Sequence, residues 1–193
     1  MASRALRIKR FLAGGVIGVS LLTASVVPVS AYPPGQTLAL AVSSTQVSRG
    51  QLVTLRVTNA KPGVLTLKFG AVTKRTVVSS TYKTPSVSVA ASAAGIYVTR
   101  AIAKDSETAW TRVYVPSATP PSAVRTGAVG NMVIRYAKPG SVVTVTVDGD
   151  SFQGVVGNAS TVVVPFSVEN KGTLPITVTI GAVTISGLKT VGR

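Results

Sequence analysis

Asp105, Glu107, Asp148, Asp150 and Glu169 are the five carboxylates of this 193-residue chain, which has no histidine and no cysteine. That inventory removes the usual general base, the thiolate nucleophile and the common transition-metal ligands. Serine and threonine are abundant, but a hydroxyl needs a base to become a nucleophile. Lysine is the base on offer, and no Ser-x-x-Lys lies in a helical context. An enzyme is therefore not expected. No residue is assigned as catalytic, cofactor-binding or metal-ligating, and no cofactor is expected.

Two short acidic stretches invite weighing. Asp148-Gly149-Asp150-Ser151 hints at calcium, but a tight site takes about 6–8 oxygen ligands with several carboxylates. No third acid lies nearby in sequence. Asp-Gly is also a favoured two-residue turn between alternating strands, and the hairpin is the preferred reading. Lys104-Asp105-Ser106-Glu107 reads as a solvated hairpin loop, with recognition as its alternative role. Trp110 and Tyr114 share one face of a strand. Partial burial is expected for them, with an aromatic platform for a glycan or partner as the alternative.

The chain carries 20 basic residues and a net charge of +15. Arg56, Lys68, Arg100 and Arg135 sit at outward positions between inward apolar residues, and Lys74-Arg75 is the adjacent basic pair after the N-terminal segment. The basic residues read as spread along solvated sheet faces, where lysine and arginine also discourage edge-to-edge pairing. A positive exported surface attracts polyanions. The expected partners are a cell-envelope polyanion, such as a teichoic acid, acidic polysaccharide or anionic lipid, or other surface proteins. Nucleic acid is not expected, since no recognition helix or arginine-rich motif accompanies the charge.

The elements that must hold these residues start after residue 31. Arg4, Arg7, Lys9 and Arg10 precede the uncharged apolar stretch Phe11 to Val27. Pro28 and Val29-Ser30-Ala31 then set small residues before a cut ahead of Tyr32. This is the layout of a cleaved secretory signal peptide. Removing it takes away four basic residues and no acid, leaving +11. The expected mature protein has no transmembrane segment, and its end, Thr190-Val191-Gly192-Arg193, carries no sortase-type signal. It is expected outside the cell, released or held noncovalently on the wall.

Period-two alternation then predicts short strands throughout. Val53, Leu55 and Val57 form one apolar face; Leu65, Leu67 and Phe69 another; Val87, Val89 and Ala91 a third. Further strands are expected at Thr37–Ser43, Val72–Ser79, Ile96–Ala103 and Thr108–Val115. After residue 123 the series is Met132–Tyr136, Val142–Val147, Ser151–Val156, Thr161–Val168, Leu174–Ile180 and Val183–Leu188, with a weaker start near Val124–Ala128. Pro116-Ser117-Ala118-Thr119-Pro120-Pro121-Ser122 reads as a semi-stiff linker.

The two halves repeat at an offset of 77. Gly50 falls on Gly127, Ala60-Lys61-Pro62-Gly63 on Ala137-Lys138-Pro139-Gly140, Val87 and Val89 on Val164 and Phe166, and Gly95 on Gly172. The shared landmarks indicate an internal duplication. Each Ala-Lys-Pro-Gly has the type II turn signature, proline presetting φ and glycine supplying a positive φ, with Lys61 and Lys138 directed to solvent. Alignment also predicts that Tyr97, Thr99 and Ala101 face the core and that Pro175 lies on an outer face, at an edge or bulge.

Tyr32-Pro33-Pro34-Gly35, Gly50-Gln51-Leu52-Val53-Thr54-Leu55, the Ala-x-Pro-Gly turn and Ala94-Gly95-Ile96-Tyr97 together resemble the bacterial immunoglobulin-like repeats of secreted and cell-wall proteins, of actinobacterial type. The resemblance covers residues 37–193 and implies a disulfide-free sandwich used as a spacer, adhesin or wall module. Leu174 stands where that pattern favours tyrosine. The expected fold is all-β: two tandem immunoglobulin-like antiparallel β-sandwiches after a cleaved signal peptide. The expected divisions are 1–31 signal peptide, 32–36 N-terminal segment, 37–115 first sandwich, 116–122 linker and 123–193 second sandwich. The expected function is a noncatalytic structural or adhesive module of the cell envelope. The alternative is a soluble cationic protein that captures anionic wall polymers or glycans.

Overall fold

A computed structural model describes residues 36–79 and 84–193. The expected signal peptide and the Tyr32-Pro33-Pro34-Gly35 start lie outside the described residues. The described chain is all-β. Its first seven strands are β1 (Ala39–Val42), β2 (Leu52–Thr58), β3 (Gly63–Phe69), β4 (Val72–Val78), β5 (Ser86–Ala90), β6 (Gly95–Ile102) and β7 (Thr108–Val115). They form a three-stranded sheet, β1-β2-β5, and a four-stranded sheet, β4-β3-β6-β7. The β2–β3, β4–β5 and β5–β6 connections cross between the two sheets, which is the Greek-key wiring of an immunoglobulin-like sandwich. Alternating valine and leucine on the facing surfaces close one core, with Val53, Leu55, Val57, Leu65, Leu67 and Phe69 no more than 1% exposed.

The wiring recurs after Val115. The strands there are β8 (Ser117–Thr119), β9 (Ala123–Val124), β10 (Val129–Arg135), β11 (Val142–Val147), β12 (Asp150–Val155), β13 (Thr161–Ser167), β14 (Gly172–Ile180) and β15 (Val183–Gly192). Their sheets are β13-β10-β8 and β12-β11-β14-β15-β9. Met132, Ile134, Val143, Val145, Phe166 and Ile176 anchor a second, separate core.

The first strand of each half switches sheets. In the C-terminal half β8 pairs antiparallel with β10, and β9 then pairs parallel with β15. In the N-terminal half β1 pairs with β2, and the chain then crosses to make a parallel bridge from Gln46 to Tyr114 of β7. The Val47 amide donates to the Tyr114 carbonyl (3.0 Å), and the Tyr114 amide donates to the Thr45 carbonyl (2.8 Å).

The segment expected as a linker, 116–122, does not stand free. Ser117–Thr119 is strand β8 itself, and Ala118 packs on the second core. Thr190 Oγ1 donates to the Pro121 carbonyl (3.0 Å). Pro120 and Pro121 stop β8, because they have no N–H to continue its ladder. The start expected near Val124–Ala128 is correspondingly shorter: Ala123–Val124 is strand, and the Ala128 amide closes a turn onto the Arg125 carbonyl (2.9 Å).

Thr99 and Ala101 are fully buried and Tyr97 packs on the first core, as the repeat predicts. Tyr97 stacks on Phe69 with ring centroids 4.5 Å apart. Pro175 is exposed beyond the end of β11, whose pairing with β14 starts at Ile176, and a register shift follows between Ile176 and Val178. At Pro175 one side of β14 is thus an open edge, and the missing N–H leaves no ladder bond unmade.

The two Ala-Lys-Pro-Gly turns differ. In the second, Gly140 has φ +80° and the Ser141 amide donates to the Lys138 carbonyl (3.1 Å), a type II turn. In the first, Gly63 has φ +138° and already belongs to β3. That value lies far from the type II position, and the type II expectation holds only for the second copy. The residue before each motif, Asn59 or Tyr136, is left-handed with φ +60° in both. Asparagine adopts that conformation readily; tyrosine does so against a steric cost of roughly 1–2 kcal/mol.

Candidate basic sheet face

The β4-β3-β6-β7 sheet has one face on the core and one in water. Alternation sends Lys68, Arg75, Arg100, Trp110 and Arg112 to the water face, and all five are exposed. The register then gathers residues that are far apart in sequence. Lys68 pairs with Arg100, and Arg100 pairs with Trp110. Neighbouring strands lie about 4.8 Å apart, so Lys68, Arg100 and Trp110 form one row across three strands. Arg75 of β4 stands opposite Thr66 of β3, and Arg112 of β7 stands opposite Val98 of β6. The basic residues that look spread in sequence are therefore concentrated on this face by antiparallel pairing.

Two like charges directly opposite each other, as Lys68 and Arg100 are, repel and cost stability. No carboxylate lies within β3, β4, β6 or β7. Three of the five acids are engaged elsewhere. Asp105 accepts from Lys61 Nζ (2.6 Å), Glu107 Oε1 accepts from the Leu38 amide (2.5 Å), and Asp148 accepts from Asn170 Nδ2. Among the described residues, Lys61–Asp105 is the one ion pair.

Trp110 is 61% exposed, while Tyr114 on the same face is 8% exposed. The expectation of partial burial therefore fails for Trp110 and holds for Tyr114. At Tyr114 the backbone of β7 pairs with the crossing segment 45–47, whereas the Trp110 side chain stands open on the water face. The Arg112 guanidinium carbon lies 5.6 Å from the indole centroid, a cation–π contact that orders the ring. Between the charged side chains run two adjoining depressions. One is lined by Lys68, Ile96, Val98 and Arg100, the other by Val98, Arg100, Thr108, Trp110 and Arg112. Ile96 and Val98 give them an apolar floor.

The acidic hairpins do other work. Val147 pairs with Asp150, leaving Asp148-Gly149 as a two-residue turn with φ of +52° and +92°, so the Asp-Gly hairpin is as expected. No group of three acids that could hold a metal is present among the described residues. Asp105 on the β6–β7 hairpin binds Lys61 of the first Ala-Lys-Pro-Gly turn. The Lys61 ammonium hydrogen-bonded to it holds the Asp105 carboxyl below its ordinary value of 3.8. Lys61 is 55% exposed, as expected of a solvent-directed lysine, and is also tied to that hairpin.

Sequence reasoning missed Gln46. Its Nε2 donates to the Ile180 carbonyl (2.9 Å), and its Oε1 accepts from the Lys138 amide (2.8 Å). One side-chain amide thus joins the N-terminal half to both the second Ala-Lys-Pro-Gly turn and the β14–β15 hairpin. The repeat held the clue: its counterpart 77 residues on is Ala123, so a polar group appears in one copy only.

No protein family matches this sequence, and no curated protein does either. Some solved structures show limited similarity. The human OSCAR ligand-binding domain is similar at 13% identity and a TM-score of 0.37, over 80% of this chain and 96% of that one. Invasin, a bacterial integrin-binding protein, is similar at 13% identity and 0.34, over 78% of this chain. A β-glycosidase from Bacteroides vulgatus is similar at 14% identity and 0.32, over 81% of this chain. The chain spans 39% of that invasin structure and 25% of that glycosidase.

Proposed function

We propose that this chain is a noncatalytic immunoglobulin-like module exported to the bacterial cell envelope, where it adheres to anionic surface polymer. Residues 1–31 serve as its export signal. Residues 37–115 and 123–193 form two sandwiches in tandem, with 116–122 attached to the second. The observation that carries this reading is the water face of β4-β3-β6-β7. It carries Lys68, Arg75, Arg100 and Arg112 on the same face as an exposed tryptophan, with no carboxylate within its strands to neutralise them. A face that repels itself gains when an anion covers it.

The test is cosedimentation of the mature protein with purified cell walls across a salt series. Retention is expected at low salt and release at high salt, since exposed charges are screened within about 8–10 Å at ionic strengths near 0.1 M. The double variant Lys68→Thr/Arg100→Thr should stay in the supernatant throughout. Retention of that variant equal to the parent would sink the reading. Hydrolysis of wall polymer by the purified protein would sink its noncatalytic part.

A further inference from the structure

From the same face, and resting on the reading above, we infer the chemical class of the polymer: an acidic polysaccharide whose sugar rings carry carboxylates, bound by a ring platform at Trp110 beside a cation at Arg100. Three features of the face select that class over a bare polyanion. The first is the order of groups in one row. Lys68, Arg100 and Trp110 stand on adjacent strands, paired in register, so each step is about 4.8 Å. A ligand lying across the strands meets an apolar ring, then a planar guanidinium, then an ammonium. Guanidinium pairs bidentately with a carboxylate, and an indole offers a flat apolar surface to the C–H face of a sugar.

The second feature is the floor. Ile96 and Val98 are 42% and 38% exposed in the depressions between the charged side chains. Apolar side chains in the contact favour a ligand with apolar faces of its own. A polyphosphate has none, and would strip water from its charges against valine and isoleucine without compensation. The third is the indole itself. It projects from the sheet with more than half its surface in water, ordered by Arg112 at 5.6 Å. A preordered exposed aromatic loses little conformational entropy on binding.

The chain has a single tryptophan, so tryptophan emission, excited selectively over the five tyrosines, reports this face. The mature protein is titrated at low salt with polygalacturonate, which has rings and carboxylates, with inorganic polyphosphate, which has charge alone, and with neutral dextran. Polygalacturonate is expected to shift and quench the Trp110 emission saturably. Polyphosphate should bind more weakly, with little spectral change, and dextran should not bind. By calorimetry, Trp110→Ala should weaken polygalacturonate binding roughly fivefold to tenfold while changing polyphosphate binding less than twofold. Trp110→Phe should restore most of the loss. Arg100→Gln should weaken both polyanions.

Equal binding of polyphosphate and polygalacturonate, or a Trp110→Ala variant that binds both as the parent does, overturns the ring platform. If walls retain the parent but not Lys68→Thr/Arg100→Thr, and polygalacturonate still fails to bind, the envelope reading stands and the polysaccharide class is lost. If walls do not retain the parent, both fall.

Discussion

The water face of β4-β3-β6-β7 and that of β12-β11-β14-β15 have the same strand order and different chemistry. Where the first carries Lys68 beside Arg100, the second carries Thr146 beside Thr177. Arg75 corresponds to Gln153, and Thr66 to Thr144. Thr144 pairs with Thr179, and Thr146 pairs with Ser151 through their hydroxyls (3.2 Å). Opposed threonines and serines supply cross-strand contacts without repulsion, so the second face is a stable sheet surface in its own right. The first face gives up that benefit. The cations of the first face therefore carry a cost in stability that the hydroxyl-rich face does not.

The largest effects expected of mutation lie beneath both faces and test whether the cores are separate. Phe69→Ala should cost about 3–5 kcal/mol, since it removes a fully buried ring that stacks on Tyr97. Hydrogen exchange should show the loss confined to strands β1 to β7. Equal loss of protection in β10 to β15 would mean that the halves unfold as one.

Exchange of the outward residues comes next. Lys68→Thr/Arg100→Thr should lose about tenfold in affinity for polygalacturonate, near 1.4 kcal/mol for two exposed cations. The reciprocal graft, Thr146→Lys/Thr177→Arg, should create binding in a variant that lacks the first face. Failure of the graft would show that the threonine sheet lacks the apolar floor and tryptophan the site requires.

Smaller effects sharpen the comparison of the interiors. Thr99 aligns with Ile176, and its buried Oγ1 has no hydrogen-bond partner. Thr99→Val should therefore stabilise the N-terminal half by about 1 kcal/mol in urea unfolding. Gln46→Ala should destabilise by about 1 kcal/mol, because water can partly replace its two bonds, and should separate the melting transitions of the halves in calorimetry.

The smallest effect is one of pH. Asp105 has a lowered carboxyl value in the folded protein, caused chiefly by the Lys61 hydrogen bond. Its contribution to stability is present above the unfolded value near 3.8 and is lost as pH falls through the lowered folded value. Asp105→Asn should flatten that acid limb, and the second half, whose β14–β15 turn at Gly181-Ala182 holds no acid, should show no counterpart.

Most strands were legible because their inward faces alternate Val, Leu and Ile at strict period two, a signal that needs no knowledge of neighbours. Segment 116–122 misled because its prolines look like spacing. The edge that β10 offers to Ser117–Thr119 comes from residues later in the chain, and no local pattern encodes it. Lys68, Arg100 and Trp110 were each readable as outward-facing residues or candidate surface groups. Their assembly into a row was not, because cross-strand register depends on hairpin lengths that set Lys68 against Arg100 and Arg100 against Trp110. Trp110 itself was misjudged: its exposure depends on what packs over β7 from elsewhere in the chain, and no local pattern encodes that.

The parallel bridges at the start of each half have a mechanical consequence. Segment 45–47 lies beside β7, and β9 lies beside β15, so the strand that enters each sandwich runs alongside the strand that leaves it. Tension applied to the two ends of such a pair slides the strands past each other. The Val47, Tyr114, Val191 and Arg193 amide bonds are then strained together, in shear, instead of opening one after another. A chain built this way resists pulling along its length, because its clamp bonds must break together. A force–extension trace of the mature chain should show two abrupt rips, one for each clamp, with no gradual unravelling before them.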